Sequence, residues 1–254
     1  MDRKIEAYSH KVIISGTEIE HYEYKDRIQI RGYKRKPRKK SIVDENEKVE
    51  KKENPQKTMY SVNRTRTRIR RMIYANPDLN KFLTLTTTMT DISKTNNLFN
   101  LFVSRMKNRF PEFRYIAVPE FQKDIDFFGK VKPDGGEVHY HLLCNLRYVK
   151  SKELADIWAI GFINIKKLAK NTNLGAYMSK YLNKDMLDNR MFRKRKYFYS
   201  QDLIKPLEII GGNAQSFMQG NTAKLIKEKT FNNMYTGKVV HKTYKMEDHT
   251  ACID

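Results

Sequence analysis

Between Phe82 and Lys184 the spacing of apolar residues switches repeatedly between the strand period and the helix period, and that succession limits the possible folds more than any single motif does. Phe82 to Thr88, FLTLTTT, is dense in β-formers and predicts a strand. Leu98, Phe99, Leu101, Phe102, Met106 and Phe110 recur at helical spacing, predicting a helix from about Thr95 to Phe110. Tyr115 to Gln122 and Val138 to Arg147 read as two strands of a hairpin, with a turn at Pro133-Asp134-Gly135-Gly136. A short helix follows from Ser151 to Trp158, then a strand from Phe162 to Ile165. A last helix, capped by Asn171 or Thr172, runs to about Lys184. The order is βαββαβα, and its first six elements are those of a ferredoxin-like split βαβ unit. The expected fold class is therefore α+β: an antiparallel sheet with helices on one face and the other face open.

The flanks follow other patterns. Residues 1–33 alternate apolar and polar in short stretches and predict a strand-rich arm with a turn near Ser15-Gly16. Residues 34–58 open with the basic block Lys34 to Lys40 and continue in mixed charge, the composition of a flexible linker. A helix bearing Arg64, Arg66, Arg68, Arg70 and Arg71 comes next and is closed by Asn76-Pro77. The main domain is expected to span 59–206, with a C-terminal extension over 207–254. Within that extension Gly211-Gly212 marks a loop, and Lys238 to Val240 with Thr243 to Lys245 suggest a strand pair.

Fifty Lys and Arg against 29 Asp and Glu give a net charge of +21, which suits a polyanionic partner. Cys144 and Cys252 are too few for a cysteine-based zinc framework or a disulfide scaffold. No apolar run is long enough to cross a membrane, and the N-terminus has no apolar export region. The expectation is a cytoplasmic protein that avoids membranes and binds nucleic acid, its oligomeric state left open.

Two groups of residues carry chemistry. His139 and His141 lie two apart in one strand, so both imidazoles leave the same face while Val138, Tyr140, Leu142 and Cys144 leave the other. Glu120, near the end of the partner strand, is a candidate third ligand, although Pro119 leaves the register open. Two histidines hydrogen-bonded to their neighbours would fit the same pattern. His10, His21, His241 and His249 show no such pairing and read as surface or structural. The second group is Tyr177-Met178-Ser179-Lys180-Tyr181-Leu182-Asn183-Lys184, in which Tyr177 and Tyr181, and Lys180 and Lys184, each share a helix face. A phenol is almost wholly protonated at neutral pH, with a pKa of about 10, so attack on a phosphodiester needs help. A divalent cation on the phosphate and a nearby ammonium, such as that of Lys180, would supply it.

Taken in order, FLTLTTT, the His139-Tyr140-His141 strand and the tyrosine helix resemble the three signatures of the HUH rolling-circle replication initiators. The doubled tyrosine and lysine spacing is similar to that of the two-tyrosine initiators of small single-stranded phages and related plasmids. The arginine helix with Asn76, the Trp158-Ala159-Ile160-Gly161 stretch and the segment from Ser200 to Pro206 extend the resemblance over roughly 61–206. Tyr140 departs from the aliphatic residue usual at the centre of the histidine motif.

The resemblance implies that His139, His141 and Glu120 bind Mg²⁺ or Mn²⁺, and that Tyr177 or Tyr181 attacks the scissile phosphate of single-stranded origin DNA. A 5′-phosphotyrosine and a free 3′-OH would result, with Lys180 and Lys184 assisting at the phosphate. Thr84, Thr86, Thr88, Arg64, Arg68, Arg193 and Arg195 are the expected DNA contacts. No Walker A stretch is present, so unwinding and synthesis are expected from a host helicase and a host DNA polymerase. A transposase or relaxase with the same chemistry, and a non-catalytic nucleic-acid-binding protein on this scaffold, are the competing readings.

Overall fold

The computed structural model describes residues 5–32, 55–125, 128–169, 174, 175, 177, 178, 188–191 and 194–247. The chain divides into two compact units. One comprises residues 55–204, and the other joins described residues from 1–54 to those from 205–254.

The larger unit is built on a five-stranded sheet. Its strands, numbered along the chain after four in the other unit, are β5 (Lys81–Thr86), β6 (Tyr115–Phe121), β7 (Val138–Cys144), β8 (Ile163–Lys167) and β9 (Phe198–Tyr199). Their order is β8-β5-β7-β6-β9, and every neighbouring pair is antiparallel. This is the expected α+β arrangement, with β9 added at the β6 edge. The helices are α1 (Pro55–Tyr74), α2 (Ile92–Arg109) and α3 (Ser151–Trp158). Helix α1 thus begins inside the stretch that composition alone reads as linker. The basic block Lys34 to Lys40 lies outside the described residues.

The pleat separates two cores. Leu83, Leu85, Tyr115, Ala117, Val138, Tyr140, Leu142 and Cys144 pack with Phe99, Phe102 and Met106 of α2 and Leu154 and Trp158 of α3. On the opposite face, Phe82, Ile116, Val118 and Leu143 pack with Val62, Ile69, Met72 and Ile73 of α1. That face is therefore half covered, because α1 carries an apolar stripe that needs burial, and it stays polar only toward the His139 end of the sheet. Strand β5 stops at Thr86, where the Thr87 hydroxyl turns inward to donate to the carbonyls of Val138 at 3.0 Å and Met89 at 3.1 Å. Strand β7 stops at Cys144, where the Asn145 side chain accepts from Arg114 N at 2.8 Å and donates to Glu112 O at 2.9 Å. Asp91 caps α2 by accepting from the Ser93 and Lys94 amides, so the helix starts earlier than its apolar spacing predicts.

The smaller unit holds β1 (Glu6–Tyr8), β2 (His10–Ser15), β3 (Glu18–Tyr24) and β4 (Gln29–Arg31) from the first part of the chain. From the last part come β10 (Leu207–Ile210), α4 (Gly211–Gln219), β11 (Lys224–Asn233) and β12 (Gly237–Lys245). Its five-stranded sheet runs β10-β2-β3-β12-β11, while β1 and β4 pair separately. The segment expected as a short strand pair at 238–245 is the single strand β12, paired with β3 on one side and β11 on the other. His10 and His21 stack here at 5.3 Å, and His241 stacks on Tyr22 at 4.3 Å, which makes them structural residues of this sheet.

Candidate active site

The register across β8, β5, β7 and β6 fixes which polar side chains meet on the α1 face. Thr86 lies opposite His139, and His139 opposite Glu120. One row further on, Asn164 lies opposite Thr84, Thr84 opposite His141, and His141 opposite Val118. Pro119 takes its place in this ladder opposite Tyr140 without shifting it. The proline is tolerated because β9 covers β6 only at Ile116 and Ala117, leaving the Pro119 stretch as an edge. Glu120 therefore shares a face with both histidines.

The two imidazoles have different surroundings. His141 is buried; the Thr84 hydroxyl lies 3.2 Å from its Nδ1, and the Glu120 carboxylate contacts its Nε2. Its ring stacks on Phe82 at 5.5 Å between centroids and 13° between planes. His139 is half-buried, and its ring centre lies 6.4 Å from that of His141. Burial first, and the neighbouring His141 second, push the His139 pKa below its ordinary value. An imidazole held neutral in this way keeps a lone pair available to a metal. Among the described residues, no three His, Cys, Asp or Glu side chains already close around one point. The donor set nonetheless suits a divalent cation: two imidazoles and a carboxylate on one face, with the far nitrogen of His141 steadied by a hydroxyl.

The tyrosine segment reaches the same face. Leu174, Gly175, Tyr177 and Met178 have helical backbone, and Met178 is fully buried in the core beneath α1. Gly175 permits close approach to α1, since a Cβ there would stand 2.9 Å from Arg70 Cγ and 3.1 Å from the Tyr74 hydroxyl oxygen. The Tyr177 ring meets Phe82 edge-on, 4.9 Å between centroids. Lys166 lies over both rings, its Nζ 5.5 Å from the centre of Phe82 and 5.4 Å from that of Tyr177. Phe82 thus has the imidazole of His141 against its face and the phenol ring of Tyr177 against it edge-on. Lys180, Tyr181, Lys184 and Arg193 lie outside the described residues.

The remaining expected contacts separate into two groups. Thr84 and Thr86 direct their hydroxyls to protein partners, His141 and the Phe162 backbone, whereas Thr88 is exposed. Arg64 and Arg68 are exposed on α1, one turn apart, and Arg195 stacks its guanidinium 4.9 Å from the Phe198 ring centre. Phe82 and Lys166 were not singled out by motif reasoning. Lys166 has the strand parity of Asn164, so cross-strand pairing would have found it had the register been known.

Residues 80–186 match the family model of the ORF2-type replication-associated proteins. No curated protein and no solved structure matches the chain. The matched stretch begins one residue before β5 and extends past Tyr177, so it includes Glu120, both histidines and the tyrosine segment. Over the residues that carry the polar face, this chain is similar to replication-associated proteins, and the match supports a replication-initiator role.

Proposed function

We propose that the chain nicks and rejoins single-stranded DNA at a replication origin, using a tyrosine nucleophile and a divalent metal ion. The observation that carries this reading is the stacked series His141, Phe82, Tyr177, which brings an imidazole, a carboxylate and a phenol ring to one end of one sheet face. His139, His141 and Glu120 would hold Mg²⁺ or Mn²⁺. The bound ion supplies charge stabilisation on the non-bridging oxygens of the scissile phosphate. Thr84 orients the His141 ring through Nδ1, leaving Nε2 toward Glu120.

In the cleavage step, the phenolic oxygen of Tyr177 or Tyr181 forms a bond to phosphorus and the bond from phosphorus to O3′ breaks. The phenol loses its proton and the departing 3′-oxygen gains one, giving a 5′-phosphotyrosine and a free 3′-OH. Attack by a 3′-OH on the phosphotyrosine reverses the exchange and rejoins the strand. Lys180 and Lys184 would contact the phosphate. The free 3′-OH primes a host polymerase, and a host helicase separates the strands.

The test is incubation of the full chain with single-stranded oligonucleotides carrying its cognate origin in Mn²⁺. Expected is a covalent adduct stable to denaturing gel electrophoresis, with mass spectrometry assigning the modified peptide to Tyr177 or Tyr181. Changing both tyrosines to Phe should abolish the adduct and spare binding. Cleavage that survives the double change would overturn the nucleophile assignment. Nicking and closure of a supercoiled plasmid bearing that origin separates an initiator from a transposase or relaxase.

A further inference from the structure

We infer that Phe162 is a stacking platform for an unpaired nucleobase of the bound strand, at the rim of the imidazole face. The ring is 84% exposed, although its backbone is among the most firmly held in the unit. The Thr86 amide donates to the Phe162 carbonyl at 2.9 Å, and the Thr86 hydroxyl donates to the same carbonyl at 2.9 Å. That hydroxyl also accepts from the Phe162 amide at 2.7 Å. Trp158, fully buried, donates its indole N–H to the Thr86 carbonyl at 2.7 Å. Gly161 passes so close that a Cβ there would stand 2.3 Å from the Thr86 carbonyl oxygen. Ala159 ends α3 in the left-handed region, with φ of 59°. A connection fixed at this many points, yet ending in a large apolar ring in solvent, is built to present that ring.

The pleat sets where it is presented. Ile163 and Ile165 pack toward α2 and α3, while Lys166 lies over Phe82 and Tyr177 on the opposite face. Phe162 shares the parity of Lys166 and Asn164, and its backbone pairs with Thr86. It therefore continues the row Thr86, His139, Glu120 at the outer strand. Two strand spacings, about 10 Å, separate its backbone from that of His139. A base adjoining a phosphate held at the imidazoles can reach that distance. Tyr148 is equally exposed, at 85%, but lies beyond the opposite end of β7. Aromatic faces accept any base, so the contact would add affinity with little sequence preference.

This inference rests on the proposed function only in taking single-stranded DNA as the ligand, and the experiment keeps the two apart. Binding of the full chain to oligonucleotides carrying 2-aminopurine at one position at a time is followed by fluorescence, without added metal. Stacking on Phe162 predicts quenching confined to one or two positions. Phe162→Ala should remove that quenching and weaken binding by about 5- to 100-fold. Phe162→Tyr should restore both, and Tyr148→Ala should change neither. In Mn²⁺, the Phe162→Ala loss should appear in the oligonucleotide concentration needed for half-maximal adduct. Unchanged quenching and affinity in Phe162→Ala would overturn the platform, even if the wild-type chain forms the adduct. Quenching that depends on Phe162 in a chain that forms no adduct would uphold the platform and overturn the nuclease reading.

Discussion

Thr84 lies 3.2 Å from His141 Nδ1 and cannot face solvent while it holds that ring. A hydroxyl behind a candidate ligand fixes the orientation of the imidazole and thereby the direction of the other nitrogen. Thr84→Val keeps the β-branched shape and removes only the oxygen, so Mn²⁺ affinity measured by titration calorimetry should fall by about 10- to 100-fold. Thr84→Ser should recover most of it. Tyr140 answers a different need. Its ring stacks on Phe99 at 4.4 Å and its hydroxyl donates to Asn96 Oδ1 at 2.8 Å, which ties β7 to α2. An aliphatic residue would fill this space without that bond, so Tyr140→Phe should cost about 1 kcal/mol in denaturant unfolding and leave the imidazoles in place. In the smaller unit, His21 has its pKa lowered to about 4, mainly by burial, with Glu23 opposing and His10, Lys242 and Lys25 reinforcing. The unfolded chain takes up this proton near the ordinary 6.5 and the folded chain only near 4, so stability falls as pH drops through that interval. An NMR titration should find the His21 midpoint near 4, and a midpoint at 6 or above would contradict the burial.

At the scale of elements, side chains rather than helix propensity close several connections. Asn76 is fully buried after α1, donating to the carbonyls of Met72 at 2.8 Å and Ile204 at 2.9 Å and accepting from Ile204 N at 2.9 Å. Asn76→Ala strands three buried backbone groups and should destabilise the 55–204 unit by about 3 kcal/mol, read as a lower denaturant midpoint. Elements with one strong period were legible in the sequence: α2 from its apolar stripe, and β7 from the alternation that puts His139 and His141 on one side. Strand β9 was not legible, because its two residues, Phe198 and Tyr199, cannot display a period. Strand β11 escaped for the opposite reason: its ten residues are nearly all exposed, so neither face needed to be apolar. At the site, both imidazoles and Glu120 could be read from strand parity. The Thr84 contact, the Phe82 stack and the clamp on Phe162 could not, since each depends on cross-strand register that neither strand encodes alone.

At the scale of the whole molecule, the two units depend on the chain termini very differently. The 55–204 unit encloses both cores that flank its sheet, one under α2 and α3 and one under α1. The other unit is assembled from distant parts of the sequence: β2 and β3 lie at the centre of its sheet, but β10, β12 and β11 come from beyond residue 204. Its buried core is small, Val12, Ile19 and Ala214, and Ala214 belongs to α4. Deleting residues 205–254 would leave a β2–β3 hairpin with both edges bare and Val12 and Ile19 uncovered, and an isolated two-stranded hairpin is marginal in water. In a chain ending at Ile204, amide signals from residues 5–32 should therefore collapse to random-coil positions in an ¹H–¹⁵N spectrum, while those from 55–204 keep their dispersion. The same shortened chain should still form the covalent adduct in Mn²⁺, because Glu120, both histidines and the tyrosines all lie within 55–204. Folded signals from β2 and β3 in that chain would mean that the smaller unit does not require its C-terminal strands. Loss of dispersion throughout 55–204 would mean that the larger unit is not self-sufficient.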